Sequence, residues 1–435
     1  MQGLPARTAA WRVLHDIRRG IPFDLALERA LAALPESERG LAHELAAGVL
    51  RHRTVLDAAI APHLDRGPDR IRDDLLDILR LGAYQLLYLD RVPRHAAVDT
   101  AVSLGRRIAG ARVGGFINAV LRKISEERVP TSEERIAKSE EEPLASLLAT
   151  RYSHPEWLVE RWIERFGGEE TERLLQSNNA RPPLVVQPAR WSTETLIASF
   201  EQQGISWRPA PFDAGLIVEG RRPQELPGFS AGSCLVQDPA QALVVRFFAR
   251  PGGPLYDACA APGGKAIAFS AGGFVAAADL RPARARRLRE NLLRAGHEPA
   301  AVLVADAGSP PVRPVPAVLL DAPCLGTGTF SRHPDARWRV TPEALAALAA
   351  EAGLLLRTLA AVVAPGGLLF FATCSLEPEE NELQISAFLA QEPRFRREVS
   401  ASVPPELLTP AGDLMLLPHL HGTDGAYAAR LRREG

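Results

Sequence analysis

The chain holds 435 residues, 24% of them charged and 46% hydrophobic, with a formal net charge of −1. At roughly 150 residues per domain it should divide into two or three, and its average composition excludes the disordered and fibrous classes. So even a charge balance gives no global argument for a nucleic-acid partner. The four cysteines argue against a disulfide framework and for a reducing compartment.

The opening MQGLPARTAAWRVL has no apolar stretch before a cleavage site. No segment reaches the roughly 18–20 uninterrupted apolar residues of a membrane span, so a cytoplasmic protein is expected. Residues 4–126 carry apolar side chains at helical spacing, as in Trp11, Leu14, Ile17 and in Leu75, Ile78, Leu79, Tyr84. Pro22, Pro35, Pro62, Pro68 and Pro93 fall between the segments, which predicts an all-helical domain over 1–130. This stretch holds 20 basic and 16 acidic side chains, an excess of +4 that the whole-chain total hides. Arg51, Arg53, Arg106, Arg107, Arg112 and Arg122 contribute to it. A solvated helical surface accounts for them as well as an RNA-binding face does.

The acidic stretch at 131–150 reads as a linker and the start of the next helix. Beyond it, helical WLVERWIERFG, TERLLQSN and TETLIASFEQQG surround an extended PPLVVQPARW. Residues 131–235 are therefore expected to form a linker and a small α+β module. From 236 to 435, LYDACA, FVAAAD, AVLVAD, AVLLDAP and GLLFFATC alternate with amphipathic helices. That is the pattern of a parallel sheet covered on both faces, whose ligands sit beyond the C-terminal strand ends.

The special residues cluster at those ends. The first strand runs into Asp257-Ala258-Cys259-Ala260-Ala261-Pro262-Gly263-Gly264-Lys265, a glycine turn that lets backbone approach a ligand closely. It lacks phosphate-loop spacing, and Ala266 stands where a hydroxyl would bind magnesium. Asp279, Asp306 and Asp321 end the next three strands, and a carboxylate about 20 residues past the turn can accept both ribose hydroxyls. Each alone could be a cap or turn carboxylate. Together they suit an adenosine-bearing cofactor without a phosphate cradle, and S-adenosylmethionine fits.

Cys324 and Cys374 follow the fourth and fifth strands and should project into the same crevice. Adding a thiolate to C6 of a pyrimidine makes C5 nucleophilic enough to attack a sulfonium methyl. An unperturbed thiol is only about 3% ionised at neutral pH. A neighbouring cation would help, and Lys265, one of three lysines in the chain, is the candidate. Asp321 could meet the ring N3 and exocyclic amine. The following segment, Gly326 to Arg339, interleaves Arg332, His333, Arg337 and Arg339 with Trp338. It suits phosphate contacts and base stacking, with the target base presented unstacked in a loop.

DACAAPGGK, DAPCLGTGT…RHPDARW and ATCSLEPEENE resemble the Sun superfamily of RNA 5-methylcytosine methyltransferases, over the last 200 residues continuously. The tail HGTDGAYAARLRR is similar to that family's final strands, and LRLGAYQLLYLDRVPRHAAVDTAVSLGRRI…GFINAVLRKI resembles the NusB fold. The resemblance implies an all-α NusB-like RNA-binding domain, a small α+β (RRM-like) middle domain and a C-terminal α/β Rossmann-like class I methyltransferase domain. It implies that Cys374 is the nucleophile while Cys324 assists product release, with Asp321 and Lys265 in the catalytic set. By the same resemblance, Cys259, Ala260, Ala261, Pro262, Gly263, Gly264, Lys265, Asp279, Asp306 and Asp321 bind S-adenosylmethionine. The implied partner is small-subunit rRNA at an unpaired cytosine, with no membrane and no metal, and a monomer is expected. Leu325 and Ser331 depart from the family's usual residues, which touches RNA contacts more than chemistry. The competing readings are a tRNA cytosine methyltransferase and a non-catalytic NusB-like assembly or antitermination factor. Exocyclic-amine methylation would want an aromatic residue that DAPC lacks.

Overall fold

The computed structural model describes residues 3–65, 67–126, 142–296 and 301–435, so most of the expected acidic linker lies outside the described residues. The helical spacing of the first 126 residues is realised as seven helices. They are α1 (Leu4–Arg18), α2 (Phe23–Ala32), α3 (Glu36–Arg51), α4 (Arg53–Ile60), α5 (Asp73–Tyr88), α6 (Arg94–Ala109) and α7 (Val113–Glu126). Three more follow: α8 (Leu144–Tyr152), α9 (Glu156–Phe166) and α10 (Gly168–Asn179). The chain folds into two compact units, one of Met1–Ala180 with Phe330–Arg339, the other of Arg181–Thr329 with Val340–Gly435.

In the first unit α5 is the enclosed element: every residue from Leu76 to Gln85 is buried. Gly48 on α3 lets the Tyr84 ring approach so closely that a Cβ there would lie 2.0 Å from it. Arg80 and Asp77 enter this core as a pair. Arg80 donates to both oxygens of Asp57 at 2.7 Å and to Asp77 at 3.0 Å.

Segment 330–339 is built into this helical unit, and here the expectation of an RNA-facing arginine–tryptophan patch needs correcting. Arg337 is fully buried. Its guanidinium donates to Asn179 Oδ1 at 2.6 Å and to the carbonyls of Asn178, Phe330 and Ser153. Burial pushes its pKa down to about 9, with Arg51 adding to the effect. Trp338 donates from Nε1 to the Leu50 carbonyl at 2.8 Å, beneath the Arg53 guanidinium. Asp335 accepts the Phe23 amide at 3.2 Å and pairs with Arg339, and Arg51 donates to the Ser331 carbonyl at 2.9 Å. Planar five-donor arginine suits a pocket of converging carbonyls as well as it suits phosphate. Composition alone does not separate the two uses. Of the expected RNA contacts, Arg332 and His333 are half-buried and Arg339 is exposed.

The second unit holds two sheets. Strands β1 (Leu184–Pro188), β2 (Trp207–Pro209), β3 (Leu216–Val218) and β4 (Cys234–Val236) form an antiparallel sheet in the order β2-β3-β1-β4. Helix α11 (Thr193–Gln202) buries Leu196 and Phe200 against it, among Val186, Leu216 and Val218. Then come α12 (Pro239–Phe248), β5 (Leu255–Asp257), α13 (Gly264–Ser270), β6 (Val275–Asp279), α14 (Pro282–Arg294), β7 (Ala301–Val304) and β8 (Val315–Asp321). After them lie α15 (Pro342–Ala360), β9 (Val363–Thr373), α16 (Glu382–Gln391), β10 (Phe395–Arg397), β11 (Leu414–Leu416), α17 (Pro418–His421) and β12 (Ala426–Arg433). The order is β10-β12-β9-β8-β5-β6-β7, with β11 beside β12.

The five expected strands are the parallel ones, β5 to β9. The sheet as a whole is mixed, because β12 runs antiparallel to β9. Its two faces are covered by separate apolar clusters. Phe247, Phe248 and Phe370 lie on one; Leu356, Leu359 and Phe371 lie on the other. Successive strand residues such as Phe370 and Phe371 thus point to opposite cores, as the period of two requires.

Candidate active site

The order reverses at β5, which is flanked by β6 and β8, and an open α/β sheet places its crevice at such a switch point. Gly263, at φ 114°, turns the chain from β5 into α13; a side chain there would be strained and would press on Leu288. Side chains of α14 hold the loop from outside: Arg284 donates to the Ala261 carbonyl at 2.8 Å and Asn291 to that of Pro262 at 2.9 Å. Asp279 ends β6 nearly buried, accepting the Arg281 amide at 3.1 Å and facing Arg284 at 3.3 Å. Asp306 stands two residues beyond β7 and accepts the Gly308 amide at 2.8 Å.

Lys265 is buried and donates to Asp321 Oδ2 at 2.7 Å and to Gln241 Oε1 at 2.5 Å. The Asp321 side chain is 38% exposed, so this pair presents a carboxylate to the crevice rather than an ammonium. Beside them Asp257 is almost wholly buried, with the Cys259 amide as its hydrogen-bond partner. Burial first, and the Asp321 charge second, push its pKa up to about 7. A carboxyl buried this deeply is costly, and this one was not singled out from sequence. Nor was Gln241, whose position in the chain carried no signal.

The two thiols converge as expected, with Cys324 Sγ 3.5 Å from Cys374 Sγ. Cys324 holds its proton well above the ordinary thiol range, first through its bond to Cys374, then through burial. The charges acting on it are those of Cys374 and Glu380, and both raise it. The expected lysine–thiol pairing is thus replaced by a lysine–carboxylate pairing.

A buried polar lattice fixes the thiols. Asn381 meets Thr373 Oγ1 at 2.5 Å and donates to the Ser375 carbonyl at 2.9 Å, gripping the chain on both sides of Cys374. Thr327 Oγ1 accepts the Leu376 amide at 2.8 Å, and the Gly328 amide donates to the Cys374 carbonyl at 3.0 Å. Glu380 accepts the Leu325 amide, next to Cys324, at 2.9 Å. Gly328 and Gly425 touch: a Cβ on Gly328 would lie 2.6 Å from the Gly425 Cα, and the Gly425 amide donates to the Gly328 carbonyl at 2.7 Å. Thr327, Ser375, Glu380 and Asn381 are all fully buried. The motif ATCSLEPEENE contained three of them, yet a string of polar letters does not disclose which loop each will hold.

Comparison with known proteins agrees with this arrangement. The 16S rRNA methyltransferase RsmB/F family matches residues 249–432, the NusB family residues 4–126, and an RsmF/B-like ferredoxin-like domain residues 154–224. The probable ribosomal RNA small subunit methyltransferase B of Synechocystis is 34% identical over 99% of this chain and 100% of its own length. The protein of that name from Pseudomonas putida is 34% identical over 98% of each. The crystal structure of a protein designated PH0851 superposes with a TM-score of 0.83 at 25% identity, covering 100% of this chain and 99% of that one. The helical domain is thus NusB-like, the middle domain small and the last a mixed-sheet methyltransferase domain. The chain belongs to the ribosomal RNA small subunit methyltransferase B family.

Proposed function

We propose that this chain moves a methyl group from S-adenosylmethionine to C5 of an unpaired cytosine in small-subunit rRNA, through a covalent cysteine–C6 adduct. The observation that carries the reading is the thiol pair at 3.5 Å beside the Lys265–Asp321 pair. Residues 1–130 would grip RNA, 131–235 would serve as linker and small RRM-like module, and 236–435 would carry the chemistry in the cytoplasm.

The residues around the loop fit the cofactor by their chemistry. Asp279 and Asp306 are acceptors suited to ribose and amine hydrogens, the loop leaves backbone at 259–264 to face an adenosine, and no phosphate cradle is present among them. Lys265 and Asp321 close the same crevice. When bound, S-adenosylmethionine supplies an electrophilic sulfonium methyl group to C5.

The chain's own groups then divide the work. With the proton held on Cys324, the attacking role falls to Cys374, whose sulfur forms the bond to C6 while the C5=C6 electron pair moves onto C5. Asp321, oriented by Lys265, meets the cytosine N3 and amine. After methyl transfer C5 carries both the methyl group and its original hydrogen. Cys374 is by then bonded to carbon, so the largest cause holding the proton on Cys324 is gone. Cys324, having given its own proton to solvent, takes the C5 proton; that C–H pair restores C5=C6, the C6–S bond breaks, and Cys374 leaves as thiolate.

Trapping tests the assignment. With deproteinised small-subunit rRNA and S-adenosylmethionine, Cys324→Ala should accumulate a denaturant-stable protein–RNA adduct, and Cys374→Ala should give neither adduct nor product. An adduct on Cys374→Ala would reverse the roles, and methylation of tRNA but not rRNA would remove the substrate.

A further inference from the structure

Neighbouring residues Glu380 and Asn381 reach different loops. Asn381 grips the chain on both sides of Cys374, while Glu380 reaches the amide that follows Cys324. We infer that Glu380 is a positioning residue for product release: its bond to the Leu325 amide sets where the Cys324 thiol stands against Cys374. The inference rests on the function proposed above and adds a residue to it.

Three observations support it. Glu380 is fully buried, in a short turn (Pro378–Glu380) between β9 and α16. A carboxylate accepting an amide in a dry site makes one of the stronger protein hydrogen bonds. Oε1 makes that bond, and a hydrogen bond from the buried Ser375 hydroxyl also holds the carboxylate. A carboxyl taken wholly out of water is costly and calls for a compensating role. A glutamine or an apolar residue would fill the space at lower cost if filling were the whole purpose. Finally, the Glu380 charge acts directly on Cys324, and burial pushes the Glu380 pKa itself up to about 7. A neutral Glu380 therefore eases the proton off Cys324 at the step that needs a thiolate.

The geometry separates the two halves of the reaction. The one backbone group Glu380 holds is in the Cys324 loop, its other partner being the Ser375 hydroxyl, whereas the backbone around the attacking sulfur is held by Asn381, Thr327 and Gly328. Loss of the Glu380 bond should thus slow adduct decay more than adduct formation, since a displacement of about 1 Å costs up to about 100-fold at a reacting group.

The test follows formation and decay of the denaturant-stable adduct in single turnovers with full-length protein, deproteinised small-subunit rRNA and S-adenosylmethionine. Glu380→Ala should slow decay relative to formation by about 10- to 100-fold. Glu380→Gln, whose amide oxygen can still accept from Leu325, should bring decay back to within about threefold of wild type. Glu380→Asp keeps the charge but falls one methylene short, so it should decay slowly like Ala; it serves if the Ala protein does not fold. Wild-type decay in Ala or Asp, or decay in Gln as slow as in Ala, would overturn the inference. Wild type and Cys324→Ala run alongside: an adduct that persists on Cys324→Ala while the Glu380 variants release normally sinks this inference alone. No methyl transfer by wild type sinks the underlying function.

Discussion

The sequence DAPCLGTGT is followed at once by a phenylalanine, a serine and RHPDARW, and the two stretches meet opposite fates. Residues 321–329 stay with the sheet, where Asp321 keeps a 38% exposed side chain and Cys324 faces Cys374. Residues 330–339 belong to the helical unit, where Arg337 has no exposure and four acceptors. Both stretches are rich in the residue types that carry chemistry. What separates them is where the polar atoms point: both terminal nitrogens of Arg337 are bonded inside the protein, whereas Asp321 keeps an exposed face beyond its bond to Lys265. Density of functional letters is therefore a poor guide beside the count of internal partners.

This contrast can be broken. Arg337→Ala would strand several buried carbonyls and an amide oxygen, and should cost about 4 kcal/mol in urea or thermal unfolding. Arg337→Lys should recover little, since one ammonium cannot span the four acceptors. A variant of unchanged stability but weakened RNA binding would instead make Arg337 a phosphate contact.

The two units should also answer pH with opposite signs. In the second, Asp257 and Glu380 hold protons up to about 7 instead of 3.8 and 4.5. A raised folded-state carboxyl contributes fully below its unfolded value and is lost as pH rises through the folded one. The second unit should thus lose on the order of 6 kcal/mol between about pH 4 and 7. In the first, burial pushes His52 down to about 4 from 6.5, and His154 lies well below its ordinary value for the same reason. A histidine depressed in the folded state gains stability as pH rises across that interval, here against the opposing carboxyl of Asp77. Amide exchange followed separately for α5 and for β8 and β9 reads both; parallel trends would defeat the contrast. The smallest expected effect is Trp338→Phe, which removes one hydrogen bond to the Leu50 carbonyl, about 1 kcal/mol by unfolding.

Much of the fold was legible because it rests on short-range periodicity. The helical run over 4–126 and the five parallel strands from Leu255 to Thr373 follow from spacing of apolar residues alone. The direction of β12 was not legible, since a strand's letters do not carry its orientation. Within the site, Cys324, Cys374 and Asp321 could be found because strand ends converge at a known edge of such a sheet. Lys265 was found, but its partner was not: whether an ammonium meets a thiol or a carboxylate depends on side-chain reach across the sheet. Asp257 and Glu380 escaped because burial, not residue type, makes them unusual, and Gln241 because only the fold brings it to Lys265.

The contact between Gly328 and Gly425 sets an order of events. Gly425 comes 51 residues after Cys374 in the chain, and its backbone is part of what the Cys324 loop rests on. In synthesis both cysteines are therefore made before the residue that backs the Cys324 loop. Support for the Cys324 loop thus arrives with the segment that leads into β12, the strand that pairs with β9 beside Cys374.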